Sequence, residues 1–182
     1  MFNIATVDYQ APDAAQQFVT SLRETGFAVL RNHSIDTALI QDLYKVWSGF
    51  FAWDGKHEYT FDPEIQDGYF PFKSENAKDS AVKDLKEFYH VYPGRRLPPQ
   101  VKEATDRMYA DLSSMGLTLL NWIQDNVPED LRNSFKQPLP NMMDGSTSTL
   151  FRVLHYPPIG EGYEPGAVRA AAHEDINLIT LL

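Results

Sequence analysis

His173 and Asp175 are separated by a single residue, a spacing that suits metal chemistry. In an extended strand residues i and i+2 project to one face, so an imidazole nitrogen and a carboxylate oxygen could converge on one ion while Glu174 points away. Octahedral non-haem iron(II) is commonly held by two histidines and one carboxylate on a single triangular face, which leaves adjacent positions open. The pair would supply two of those three corners. Taken alone, His-x-Asp is a short pattern that arises often by chance, and the plain alternative is a polar pair at the mouth of a strand.

The neighbouring elements give the pair its context. Ile176 to Leu182 is an apolar run that reads as a buried strand. Upstream, Thr149 to Tyr156 reads as a strand stopped by Pro157 and Pro158, and a loop with Gly160, Gly162, Pro165 and Gly166 joins the two. Alternation puts Arg152, Leu154 and Tyr156 on one face of the earlier strand and His155 on the other.

Further forward the pattern is helical. Ile4 to Val7 is a short apolar run, Asp13 is placed to cap a helix carrying Phe18 and Leu22, and Gly26 is placed to end it. Phe27 to Leu30 suits a strand, and a second helix is expected from about Asp36 to Trp53, giving a β-α-β-α opening. Lys56 to Pro99 breaks into Pro, Gly and aromatic residues, as loops and short strands do. A long helix follows Pro98 and Pro99, with Val101, Ala104, Met108, Leu112, Met115, Leu119 and Trp122 on one stripe. Pro128-Glu129-Asp130 starts another. Helices first and strands last predict an α+β fold of one structural domain, with a helical or mixed region over 1–140 and the chemistry-bearing strands over 141–182.

Composition excludes several functions. The 182 residues carry a formal net charge of −9, which repels phosphate backbones and anionic lipids, so neither nucleic acid nor a membrane is expected as partner. There is no cysteine, so thiolate metal sites and cysteine nucleophiles are out, and any metal must be held by His, Asp or Glu. The first residues have neither the basic start nor the apolar stretch of a signal peptide, and a cytoplasmic location is expected. Gly160-x-Gly162 precedes no helical pattern and makes no nucleotide loop.

The segments Arg152-Val153-Leu154-His155-Tyr156-Pro157-Pro158 and His173-Glu174-Asp175-Ile176-Asn177-Leu178 together resemble the isopenicillin N synthase-like family of iron(II) and 2-oxoglutarate-dependent oxygenases. Phe27 to His33, Gly68-Tyr69-Phe70-Pro71 and Asp84-Leu85-Lys86-Glu87-Phe88 resemble further family segments in the same order. The resemblance implies a double-stranded β-helix (jelly-roll) core, incomplete in this chain, with the helical region packed around it. It implies His173 and Asp175 as ligands of Fe(II), and Tyr156 with Arg152 as contacts to 2-oxoglutarate; ascorbate is a further candidate cofactor. The family's second His ligand and its Arg-x-Ser pair lie beyond Leu182, so the sequence reads as truncated and the chain alone is expected to be inactive. Leu154 stands where relatives often have Asn.

The activity implied is a dioxygenase that hydroxylates or otherwise oxidises a small organic substrate with O2. The alternatives are an iron oxidase of the same fold that does not use 2-oxoglutarate, and a truncated, non-catalytic binding or scaffold protein. Among the other histidines, His33 reads as a turn residue, His57 and His90 as loop residues without ligand spacing, and His155 as a packing residue. Trp47, Phe50 and Phe51 read as core, as do Met108 and Met115. Phe70, Tyr89 and Arg152 are candidate substrate contacts, and the acids from Asp62 to Asp67 read as a solvated loop.

Overall fold

The computed structural model describes residues 4–75, 82–160, 163, 165–173, 175 and 177–182. Glu174, Ile176 and Gly162, named above, lie outside them, as do the first three residues. Helices and strands are mixed, and their contacts group into two units, residues 1–37, 110–146 and 181 in one and 38–109, 147–180 and 182 in the other.

In the first unit, β1 (Thr6–Asp8) and β2 (Val29–Arg31) pair in parallel. A parallel pair needs a crossover, and α1 (Ala14–Thr25) supplies it. The buried Ser21 hydroxyl ties all three together, donating to Phe27 O at 2.6 Å and accepting from Ala5 N at 3.3 Å. Gly26 ends α1 as expected, in the left-handed region at φ 77° with its N–H on Leu22 O. Asp13 does sit at the N-cap, but its backbone lies at φ −106°, ψ 14°, outside the extended region a capping side chain needs, and it makes no capping bond. Trp122 of α3 (Pro99–Asn126) packs its ring 5.0 Å from Tyr9 and 5.9 Å from Phe18. A short helix, α4 (Glu129–Ser134), follows where Pro128 predicts one.

The second unit is built on α2 (Thr37–Ala52) and an antiparallel sheet of β3 (Gly68–Phe70), β4 (Glu87–Val91) and β5 (Phe151–His155), in that order. Trp47, Phe50 and Phe51 come from one stripe of α2 and pack with Tyr69, Tyr89, Val91 and Val101 into its core. The Trp47 indole donates to Thr105 Oγ1 at 2.9 Å, and Thr105 in turn donates to Val101 O, so the buried polar atoms are paired. The register matches Glu87 with His155, Tyr89 with Val153 and Val91 with Phe151 on the core-facing side, and Phe88 with Leu154 and His90 with Arg152 on the other. On the far side of β3, Phe61 N donates to Tyr69 O and covers that edge.

Residues 177–182 are not a strand, contrary to expectation. Among the described residues no strand pairs with them, and apolar alternation without a ladder to join leaves the backbone no reason to adopt sheet geometry. No helix among the described residues is long and apolar enough to cross a membrane.

Candidate functional site

His173 Nε2 and Asp175 Oδ1 lie 3.6 Å apart, with both side chains more than half exposed. Strand alternation does not bring them together; local hydrogen bonds do. His173 Nδ1 sits 2.9 Å from Ala171 O, and a carbonyl only accepts, so Nδ1 carries a hydrogen and Nε2 is the ring nitrogen turned toward Asp175. The Thr180 hydroxyl donates to Asp175 Oδ2 at 2.8 Å and accepts from Asn177 Nδ2 at 2.9 Å, which leaves Oδ1 on the His173 side. Two ligand atoms about 2.1 Å from an ion and at right angles to each other sit about 3 Å apart, so a closure of about half an ångström completes the geometry. An imidazole nitrogen and a carboxylate oxygen are donor types that a first-row divalent ion accepts. Among the described residues no third His, Asp or Glu joins them.

The loop that carries His173 is pinned to the front of β4. Leu85 N donates to Val168 O at 2.9 Å, and Ala171 N donates to Asp84 Oδ1 at 3.2 Å. Asp84 is buried, and its other oxygen accepts from Lys86 Nζ at 2.9 Å. Burial alone would lower the Lys86 pKa, but hydrogen bonds to Asp84 and Glu75 outweigh it and raise it. Asp84, itself held by Lys86, therefore fixes the backbone at Ala171 by its N–H, and the carbonyl of the same residue fixes the His173 ring.

The sequence of residues 3–111 matches the family described as non-haem dioxygenase in morphine synthesis, N-terminal. This chain belongs to the non-haem iron(II) and 2-oxoglutarate-dependent oxygenases. A crystal structure of a protein from Shewanella oneidensis, assigned as an oxygenase, is 46% identical, with a TM-score of 0.83 over 95% of this chain and 62% of that one. A second, from Caulobacter crescentus and assigned to the 2-oxoglutarate–Fe(II) oxygenase family, is 27% identical, with a TM-score of 0.64 over 87% of this chain and 58% of that one. The proline hydroxylase of Petromyces alliaceus is 27% identical over 95% of this chain and 60% of its own length. The oxygenase chain thus spans about three-fifths of the relatives it matches.

Within this oxygenase chain, Arg152 and Leu154 are exposed on the face of β5 away from the helical core, and Tyr156, just past the strand, is 37% exposed. Arg152 Nε donates to His90 Nε2 at 3.0 Å, and its guanidinium lies 5.1 Å from the Phe88 ring. Burial, then the Arg152 charge, pushes the His90 pKa down to about 4, so His90 is the neutral acceptor. His33 Nδ1 accepts from Ile35 N, the turn role expected of it. His155 packs on the core side, stacked on Phe51 at 5.0 Å with its Nδ1 2.7 Å from Glu87 Oε1.

Three expectations are corrected. His90 lies within β4 and not in a loop. Tyr89 is no substrate contact: it is fully buried in the core and its hydroxyl donates to Arg96 O. Asp67 does not belong to a solvated loop: it is fully buried, accepting from Arg96 N at 2.8 Å and facing Arg96 Nη2 at 3.4 Å. Its neighbour Gly68 sits so close to Tyr59 O and Arg96 that a Cβ there would lie 2.6 Å from Tyr59 O.

Sequence reasoning missed the polar cluster on Glu87. This buried carboxylate accepts from the Tyr69 hydroxyl, from Lys56 Nζ at 3.0 Å and from His155 Nδ1 at 2.7 Å. Burial pushes its pKa up, but the hydrogen bonds from Tyr69, His155 and Lys56 together outweigh that and hold it below the usual carboxylate value. The same burial, with Glu87 beside it, drives the Tyr69 phenol well above its ordinary range. The one sequence signal was the acidic residue standing directly before the run Phe88-Tyr89-His90-Val91.

Proposed function

We propose that the complete polypeptide is an Fe(II) and 2-oxoglutarate-dependent dioxygenase that oxidises a small organic substrate, with His173 and Asp175 as two of its three metal ligands. The observation that carries this reading is the oriented pair: a histidine whose Nδ1 hydrogen is spent on Ala171 O, and whose Nε2 faces a carboxylate oxygen 3.6 Å away. Iron(II) with 2-oxoglutarate supplies the oxidising chemistry when bound: O2 is consumed, 2-oxoglutarate becomes succinate and CO2, and one oxygen atom goes to the substrate.

The residues of this chain contribute orientation. Ala171 O fixes the tautomer and plane of the His173 ring, and Thr180 holds Asp175 by its other oxygen, which is how outer partners keep ligands aimed. Tyr156 offers its hydroxyl to a co-substrate carboxylate, and Arg152 lines the same face. β5, paired with β4, is an opening strand of a double-stranded β-helix, and the third ligand comes from outside the described residues.

The test uses the complete polypeptide. Anaerobic titration with Fe(II), followed by O2 and 2-oxoglutarate, is expected to give one tightly bound iron per chain and succinate formation that requires both oxygen and metal. His173→Ala and Asp175→Ala should each lose iron binding. Retention of stoichiometric iron by either variant, or iron-dependent turnover without succinate, would overturn the assignment.

A further inference from the structure

The face of the sheet turned away from the helical core carries a row of rings. Phe70 stacks on Phe88 at 4.3 Å with their planes 13° apart, and Phe61 lies 4.3 Å from Phe70 on the other side. His90 is 4.7 Å from Phe70 and 5.1 Å from Phe88. The register explains the row: Phe70 pairs with Phe88 across β3 and β4, and His90 pairs with Arg152 across β4 and β5. Period-two alternation therefore puts all four side chains on one side.

Two cations lie over the Phe88 ring, Lys86 Nζ at 5.6 Å, which is already paired with Asp84 and Glu75, and Arg152, which among the described residues has no such pairing. The Arg152 guanidinium is held from two directions, by the Phe88 ring below and by the bond from Nε to His90 Nε2. A guanidinium has five N–H donors in a fixed fork, and one is used here, so the Nη1 and Nη2 edge keeps the geometry that receives a carboxylate in bidentate fashion. Among the described residues no carboxylate forms an ion pair with it, in a chain whose formal net charge is −9. A fixed, stacked guanidinium loses little freedom on binding an anion, which is what makes Arg effective at such sites. The platform is also tied to the metal pair, because Ala171 docks on Asp84, just before β4, and His173 follows two residues later.

We propose that Phe70, His90 and Arg152, seated on the fully buried Phe88 ring, form the substrate platform, and that it selects a small organic carboxylate with a flat, unsaturated body: the body lies along the half-buried Phe70 and His90 rings and the carboxylate takes the free edge of Arg152. This rests on the dioxygenase reading above and deepens it by naming the substrate class. It gives Arg152 to the substrate rather than to 2-oxoglutarate. His90 is a positioning residue, which acts by holding Nε so that the free edge faces outward.

The experiment uses the complete polypeptide and two probes of one shape, benzoate and benzamide, with affinities measured by calorimetry or ligand-observed NMR. Wild type is expected to bind benzoate at least about tenfold more tightly than benzamide, the size of one bidentate charge-assisted contact. Arg152→Gln should erase that difference and leave Fe(II) and 2-oxoglutarate affinity unchanged. Arg152→Lys keeps the charge but loses the fork, and should fall between. Equal affinity for the two probes in wild type, absent benzoate binding, or an Arg152→Gln variant that loses 2-oxoglutarate instead would each overturn the proposal. If wild type binds benzoate selectively but neither iron nor 2-oxoglutarate, the dioxygenase reading fails and the platform stands.

Discussion

Replacing Glu87 by Ala removes the acceptor that three side chains share. The Tyr69 hydroxyl, on a residue 1% exposed, loses its partner, and a buried donor left unsatisfied costs about 1–3 kcal/mol. Lys56, whose side chain is 17% exposed, loses its counter-charge and keeps only Phe51 O at 2.6 Å and the face of the Tyr69 ring. Stripping one partner from a buried ion pair costs roughly 3–5 kcal/mol, and the contacts Lys56 retains put this case at the lower end. The two losses overlap, so the expected total is about 3–5 kcal/mol of unfolding free energy. Glu87→Gln keeps one acceptor oxygen and should lose about half as much. The assay is denaturant and thermal unfolding of Glu87→Ala, Lys56→Met and the double variant in the complete polypeptide. If the cluster acts as a unit, the double variant loses at least about 1 kcal/mol less than the sum of the singles. Additivity within about 0.5 kcal/mol, or a Glu87→Ala loss below about 1 kcal/mol, would refute the reasoning.

Further outcomes follow from other contacts. Asp84→Ala removes the acceptor of Ala171 N, and is expected to weaken Fe(II) binding about tenfold or more; Asp84→Asn, which keeps the oxygen, should largely restore it, and equal affinity in both variants counts against the link from Asp84 to His173. His90 is neutral in the fold with a pKa pushed down to about 4, against 6.5 for an unperturbed histidine. The unfolded chain therefore binds the proton first, and His90's share of stability is complete above about 6.5 and lost as pH falls toward 4. NMR titration of its ring should show no protonation at pH 5.5. Gly68→Ala puts a Cβ 2.6 Å from Tyr59 O at φ 116°, and should cost roughly 2–4 kcal/mol in denaturant unfolding; a loss under about 1 kcal/mol would mean that the Tyr59 backbone yields easily.

Local periodicity made the helices legible. Trp47, Phe50 and Phe51 recur on one face of α2, and both the face and its burial follow from that spacing; Gly26 announces its own left-handed cap. What local pattern could not convey was pairing between distant residues. Glu87 reads as an ordinary acid until β3 and β5 flank it with Tyr69 and His155, and Asp67 reads as solvated until Arg96, far along the chain, folds over it. The same limit applies at the site. His173 and Asp175 were visible as a candidate pair, but the alternation argument pictured them on a strand, whereas Ala171 and Thr180 orient them through hydrogen bonds that no periodicity reports. Arg152 was visible as a face; its seat on Phe88 and His90 needed the register.

The sheet of β3, β4 and β5 is not symmetric about its middle. Phe61 closes the outer side of β3, while among the described residues the outer side of β5 pairs with nothing in the sheet order. Growth by further strands can therefore proceed in one direction only, from β5 outward, and Pro157 and Pro158 limit how long that template is. At high concentration, a chain of these 182 residues is expected to self-associate through β5, edge to edge, so its solubility measures how well that one border is covered.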